Sequence, residues 1–307
     1  MSRIVNGALP TGATRPGSRS PFRQFVVDFA ASKLAMAAFA VFVAIVLLAL
    51  FGPFFTLQNP YDLAQLSLWD SGLPPGSVSS DGQLYMLGTD DQGRDMVSAI
   101  IYGLRISLGV AVSSGVIALI IGTAAGIVAG YFGGRVDTVI MRIVDMQLAF
   151  PAVLLALILL AVLGRGVDKI IFALVAVQWA YYARTVRSSA VVERQKEYIA
   201  AARCQSLGTA RIIFQHLLPN CMAPLIVLAT IEVASAIAIE ATLSFLGVGL
   251  PVTEPSLGLL ISNGYQYMLS GRYWLSVYPG LALLITIVSI NLVGDQLRDV
   301  LNPRIQE

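Results

Sequence analysis

ISLGVAVSSGVIALIIGTAAGIVAGYFGG, residues 106–134, runs for 29 residues without a charged side chain. A helix rises 1.5 Å per residue, and about 20 mostly apolar residues cross ~30 Å of hydrocarbon. This stretch is therefore long enough to cross a bilayer, and its neighbours repeat the pattern. Residues 34–55 and 273–294 each give 22 uncharged positions, and residues 146–164 give 19. Residues 170–183 give only 14, which become a span if Lys169 and Arg184 snorkel from the two ends. A last candidate, residues 220–250, is interrupted by Glu232 and Glu240. The reading is an all-α integral membrane protein with about six transmembrane helices.

Composition agrees. Of 307 residues 56% are apolar and 12% charged, with a mean hydropathy of +0.76. A soluble protein carries about a quarter charged residues, so this chain lacks the polar surface to coat a soluble body of its size. That excludes a cytosolic enzyme, and the net charge of +2 brings no basic stretch for nucleic acid. Cys204 and Cys221 cannot form a disulfide framework, and one histidine, His216, cannot build a histidine-rich metal site. The lysines Lys33, Lys169 and Lys196 follow Ser, Asp and Gln, so no phosphate-binding G-x-x-x-x-G-K-[ST] loop exists. No catalytic constellation can be assembled, and no metal site is expected.

Lysine and arginine set the orientation. With the N-terminus inside, 15 of the 20 basic residues fall in inner segments, and the outer stretch after the first span is acidic. The expected organisation is a flexible cytoplasmic tail (1–33), a first helix (34–55), a periplasmic segment (56–104) and a transmembrane region (105–298). The cytoplasmic C-terminus is 299–307. Within the outer segment, residues 89–93 read as a turn before a helix starting near Arg94.

Three features stand out within this frame. Gly122, Gly126 and Gly130, at i+4 spacing, strip one helix face of side chains, which suits close helix packing. Glu232, about 12 residues into its span, lies ~18 Å deep, where an ionisable group costs at least ~2.5 kcal/mol unless it faces water or the bundle interior. It is read either as lining a translocation path or as a structural carboxylate. The inner loop 184–219 divides into two helical pieces, one over 191–205 and one capped by Thr209 and ending at Pro219, with a break at Leu207-Gly208. On the first piece Tyr198, Ala201, Ala202 and Gln205 form one stripe. A charged helix–turn–helix of this kind suits docking of a soluble partner or burial in the headgroup layer.

The sequence EYIAAAR at 197–203, Gly208, and RIIFQHLLPN at 211–220 resemble the cytoplasmic loop of ABC-importer permeases. More narrowly, the chain resembles the second permease subunit of the dipeptide/oligopeptide/nickel group. The blocks LGTDDQGRD (87–95) with Ser98, Gly103, Arg105, Ser107 and Leu108, AFP (149–151), LSFLGVG (243–249) and NLVGDQLRD (291–299) with Pro303 carry that resemblance. It implies the ABC-importer type I permease fold, with cytoplasmic coupling helices between the fourth and fifth spans. It also implies a homologous second permease, two ATPase subunits that hold the ATP and Mg, a periplasmic binding protein, and a bacterial inner-membrane location with both termini cytoplasmic. This chain itself needs no cofactor and no nucleic acid. The ATPase-coupling residues it implies are Glu197, Ala201, Ala202, Arg203, Ser206, Gly208, Leu218 and Pro219. Ser206 stands where the loop usually has glycine, Ala200 where glutamate is common, Leu257 for tryptophan and Asn302 for aspartate, and Glu232 occupies a usually small or apolar place. Di- or oligopeptides are the expected cargo. A nickel or other small-solute importer, and from another class a secondary transporter or channel, are the alternatives.

Overall fold

The computed structural model describes residues 21–62, 66–80, 82–251 and 253–301. Residues 1–20 of the expected tail lie outside the described residues, as do Asn302 and Pro303. The tail reading is corrected for its second half, because Pro21–Ala30 forms a helix, α1. Its Asp28 carbonyl accepts from Gln296 Nε2 at 3.3 Å, and Phe29 packs edge-on against Phe39. The sequence there carries apolar residues in helical order, but too few to register as a span.

The first span is α2, Lys33–Phe51, capped by Ser32, whose side chain accepts from the Ala35 amide. The described residues between 52 and 95 then fold into a small cap containing one two-stranded antiparallel hairpin, β1 (Ser77–Val78) with β2 (Leu84–Tyr85). The second span, α3, is Met96–Phe132, 37 residues capped by Asp95. It starts ten residues before the uncharged stretch, its first turns carrying Ser98 bonded to Asp95 and the exposed Arg105.

The third span is not one helix. Read as residues 146–164, it is instead a pair, α4 (Gly134–Leu148) and α5 (Ala152–Leu163), bent by 89°. Pro151 has no N–H to continue the ladder, so the helix ends before it. The 12 residues of α5 span only ~18 Å, less than a bilayer, so the crossing needs both members. The fourth is α6, Val167–Arg194, 28 residues where 14 uncharged ones were counted. It exceeds its apolar run because its neighbours bury it. Ile170, Ala173, Leu174, Ala180, Ala183, Val186 and Ala190 are fully enclosed.

After α7 (Glu197–Cys204) and α8 (Thr209–Arg211), a π-helical turn at Ile212–Leu217 and the short α9 (Leu218–Asn220) lead to α10, Met222–Phe245. The buried α11, Leu257–Tyr265, was not anticipated. Ser256 caps it by accepting from the Leu259 amide. The last span is α12, Trp274–Leu301. Among the described residues four helices are long and apolar enough to cross a membrane, five with the bent pair; α6, 28 residues long but less apolar, is the sixth of the expected count.

The α3–α6 seam is the most extensive in the bundle. A Cβ at Gly122 would lie 2.5 Å from Tyr182 Cβ, one at Gly126 2.5 Å from the Ala183 carbonyl oxygen, and one at Gly130 2.7 Å from Ala190 Cβ. The contact pairs advance together along both helices, so α3 and α6 run parallel. The bent α4 is tied to the same α6 by polar contacts. Arg187 clasps Asp137 through Nε (3.0 Å) and Nη2 (2.6 Å), Arg184 Nη2 meets Asp145 at 2.5 Å, and Trp179 Nε1 donates to Gln147 Oε1 at 2.6 Å.

Candidate functional site

The long inner loop is shorter than its sequence suggested, because α6 continues to Arg194 and takes in the start of the first expected piece. What remains is a compact knob. Arg194 Nη1 donates to the Tyr131 carbonyl at 2.8 Å, pinning the end of α6 to the end of α3. Glu193 gathers two donors, Lys196 Nζ and the Tyr198 hydroxyl, each at 2.6 Å. Burial and the bond to the Glu193 carboxylate push the Tyr198 phenol above its usual range, so it remains the donor.

Helix α7 turns one edge inward. Ile199 and Ala202, at i,i+3, pack with Ile212 and are lined by Tyr131 and Leu207. The expected stripe of Tyr198, Ala201, Ala202 and Gln205 is thereby corrected. Ala202 belongs to the buried edge, while Glu197, Ala201, Arg203, Gln205 and Ser206 are exposed. The longer apolar side chains decide which edge turns in, and Ile199 outweighs two alanines. Arg203 lays its guanidinium over the Tyr131 ring, 5.3 Å from the centroid, and so stays attached while exposed.

The turn after α7 resolves the departure at Ser206. That residue has φ +56°, the left-handed region in which glycine is at ease. Gly208, by contrast, is extended (φ −60°, ψ 144°), and a Cβ there would meet nothing within 4 Å. Gly208 rather than Thr209 occupies the N-cap of α8, with no side-chain cap bond. The second piece then widens into its π-helical turn before Pro219, whose ring crowds the carbonyl four residues earlier and which lacks an N–H to pair with it. Leu218 is half-buried against Leu217 and Cys221, and Pro219 and Cys204 are exposed. Tyr131, Glu193 and Ile212 hold the knob, and sequence reasoning missed all three. Tyr131 sits inside a stretch read as a span, Glu193 and Ile212 lie in the two pieces of the inner loop, and no spacing signal brings the three together.

Glu232 stands mid-way along α10 but is only 6% exposed. Gln178 Nε2 of α6 donates to the main-chain carbonyl of Glu232 at 2.7 Å, and Tyr182 is buried one turn further along α6. The Glu232 side chain is thereby buried beside α6 of its own chain, as a structural carboxylate would be. Glu240 accepts from Ser107 Oγ (2.8 Å) and Ser244 Oγ (2.7 Å), joining α3 to α10. Across the bundle, Arg94 pairs with Asp90 at 2.5 Å, both all but fully buried, and the Asp95 amide donates to Gln58 Oε1 at 2.8 Å. The 87–95 block thus braces the start of α3. Among the described residues no group of three or more His, Cys, Asp or Glu side chains comes together.

Residues 122–307 match the family described as binding-protein-dependent transport system inner membrane component, and residues 20–75 match the N-terminal TM domain of oligopeptide transport permease C. The chain belongs to this family of transport permeases. The permease is 39% identical, over 288 residues, to the di/tripeptide transport system permease protein DppC of Pseudomonas aeruginosa, covering 94% of this chain and 93% of that one. It is 36% identical over 290 residues to the oligopeptide transport system permease protein OppC of Bacillus subtilis, covering 94% and 92%. Its fold is similar to that of the MetNI methionine ABC transporter, with a TM-score of 0.56 at 20% identity, over 67% of this chain and 98% of that one. The permease is thus a multi-pass inner-membrane subunit, and its α7 knob falls within the family-matched region.

Proposed function

We propose that this permease forms half of the translocation path of an ATP-driven importer for di- and oligopeptides, and that the knob at 197–219 receives the push of separate ATPase subunits. The observation that carries the coupling role is the division of α7. One edge is locked to the bundle through Ile199, Ala202 and Arg203, and the other, with Glu197 and Ala201, is exposed. A helix that is rigidly attached on one side and open on the other can be pushed as a lever and can pass the motion into α3 and α6. The names of the relatives support peptides as cargo. In this reading both termini and the knob are cytoplasmic, a binding protein delivers substrate to the opposite side, a homologous second permease completes the path, and ATP hydrolysis takes place in the partner chains.

The test is a pull-down of the chain from its native membrane in mild detergent, with mass spectrometry of what accompanies it, followed by peptide uptake in liposomes holding the recovered assembly. Co-recovery of a second permease and ATPase chains, with uptake dependent on ATP, is expected. A chain that comes down alone would overturn the coupling role.

A further inference from the structure

At the end of the bundle opposite α7, α3 and α6 diverge and leave an open pocket of about 420 Å³. Tyr61 and Tyr102 form one wall, their rings edge to face with centroids 5.3 Å apart. Arg105, Gly109 and Ser113 follow one another at i, i+4 and i+8 along α3, all exposed, and Val167 and Ile171 of α6 close the far side. Lipid-facing rows are apolar, whereas charged side chains at membrane depth or at its edge turn toward water or protein. This row carries a charge, a hydroxyl and a gap, so it belongs to a wet or protein-covered face. Among the described residues Arg105 forms no ion pair. Glu254 comes close enough to act on the Tyr61 phenol, and its Oε2 is buried without a hydrogen-bond partner. Partial burial and that carboxylate push the Tyr61 pKa up to about 12, so the phenol remains a donor.

We propose that this pocket is a recognition point within the permease for the charged ends of a short peptide: Arg105 takes the C-terminal carboxylate, and the paired Tyr61 and Tyr102 rings take the N-terminal ammonium. The inference rests on the reading of this chain as a peptide permease and names the site it would use. A guanidinium grips a carboxylate through two parallel hydrogen bonds, and an ammonium is drawn to an aromatic face. Two residues of extended chain reach ~7 Å, which the pocket accommodates, and Val167 and Ile171 offer an apolar wall to the side chains. Gly109 leaves the room, since a Cβ there would meet nothing within 4 Å.

The test uses the complete importer, with its binding protein, in liposomes, and reads uptake of the dipeptide Ala-Ala beside the ATP hydrolysis that the loaded binding protein stimulates. Arg105→Gln is expected to slow uptake about tenfold, the loss of one charge-assisted pair, while stimulated hydrolysis is kept. Arg105→Lys is expected to restore part of the uptake, and Gly109→Leu to slow it by filling the pocket. Unchanged uptake in Arg105→Gln would overturn the proposal, and so would equal loss of uptake and stimulated hydrolysis, which would make the arginine a docking or assembly residue. A wild-type importer that carries no peptide overturns both this site and the peptide reading, and is told apart because the deficit is then present without any substitution.

Discussion

Gly126 and Gly208 occupy opposite situations in the same chain. A Cβ at Gly126 would lie 2.5 Å from a backbone oxygen of α6, whereas one at Gly208 would meet nothing within 4 Å. The first glycine exists for this chain's own packing, because helices in lipid gain little from apolar burial and must approach closely to attract one another. The second has an ordinary extended backbone that any residue could adopt, so packing within the chain gives no reason for it. The room beside it is available to something outside the chain. The seam and the knob therefore respond to substitution in different ways: one by loss of the subunit, the other by loss of work from an intact subunit.

The largest effect is expected at the seam. Gly126→Leu forces a side chain against backbone that cannot yield, and overpacking of this kind costs about 1–3 kcal/mol or more. The level of folded subunit in the membrane, read by immunoblot and detergent gel filtration, should collapse. Normal levels would mean that α3 and α6 can slide apart, which would break the comparison at its first term. Gly208→Trp comes next: subunit level unchanged, ATP-dependent peptide uptake abolished. Loss of the subunit itself would show that the space beside Gly208 is needed for folding.

The two alanines of α7 sharpen the contrast at adjacent positions. Ala202→Asp buries an unpaired charge among Ile199, Ile212 and Leu207, and should lower the melting temperature and the level of subunit. Ala201→Asp, on the exposed edge, should leave both unchanged and reduce uptake through the partner contact alone. Matching behaviour of the pair would remove the two-edged description of α7. Smaller still, Ser206→Gly relieves a left-handed backbone that costs an L-residue about 1–2 kcal/mol, offset by the entropy glycine loses. A small rise in thermal stability is expected, and a fall would mean that the serine hydroxyl contributes more than its backbone costs. Last, Glu232→Gln keeps shape and polarity inside the α6–α10 contact, and uptake within about twofold of wild type is expected for a position without substrate contact. A large, substrate-selective loss would return Glu232 to the path.

The crossings and the coupling region were legible for different reasons. Uncharged length marked the spans at residues 34–55, 106–134 and 273–294, because a bilayer accepts little else for 20 residues. The same criterion underestimated α6, which continues past its apolar run to Arg194, where Arg184 and Arg187 pair with Asp145 and Asp137 of α4. The family blocks marked the knob, but the edge of α7 that turns inward depends on Ile212, ten or more residues further on, and on Tyr131 at the far end of α3. No local pattern joins those positions.

The sequence by itself determined that this is a helical membrane protein, how its spans are ordered, and which transport family its motifs resemble, because hydrocarbon thickness and helix rise act residue by residue along the chain. Only the tertiary structure decided that the third span breaks at Pro151, that Glu232 is shut between α6 and α10, that Ser206 rather than Gly208 makes the left-handed turn, and that Arg105 stands at an open pocket. The burial of Glu232 and the pocket at Arg105 are relations between segments far apart in sequence, set by which surfaces meet when the helices pack, while the break at Pro151 and the turn at Ser206 are backbone choices that the apolar pattern does not encode.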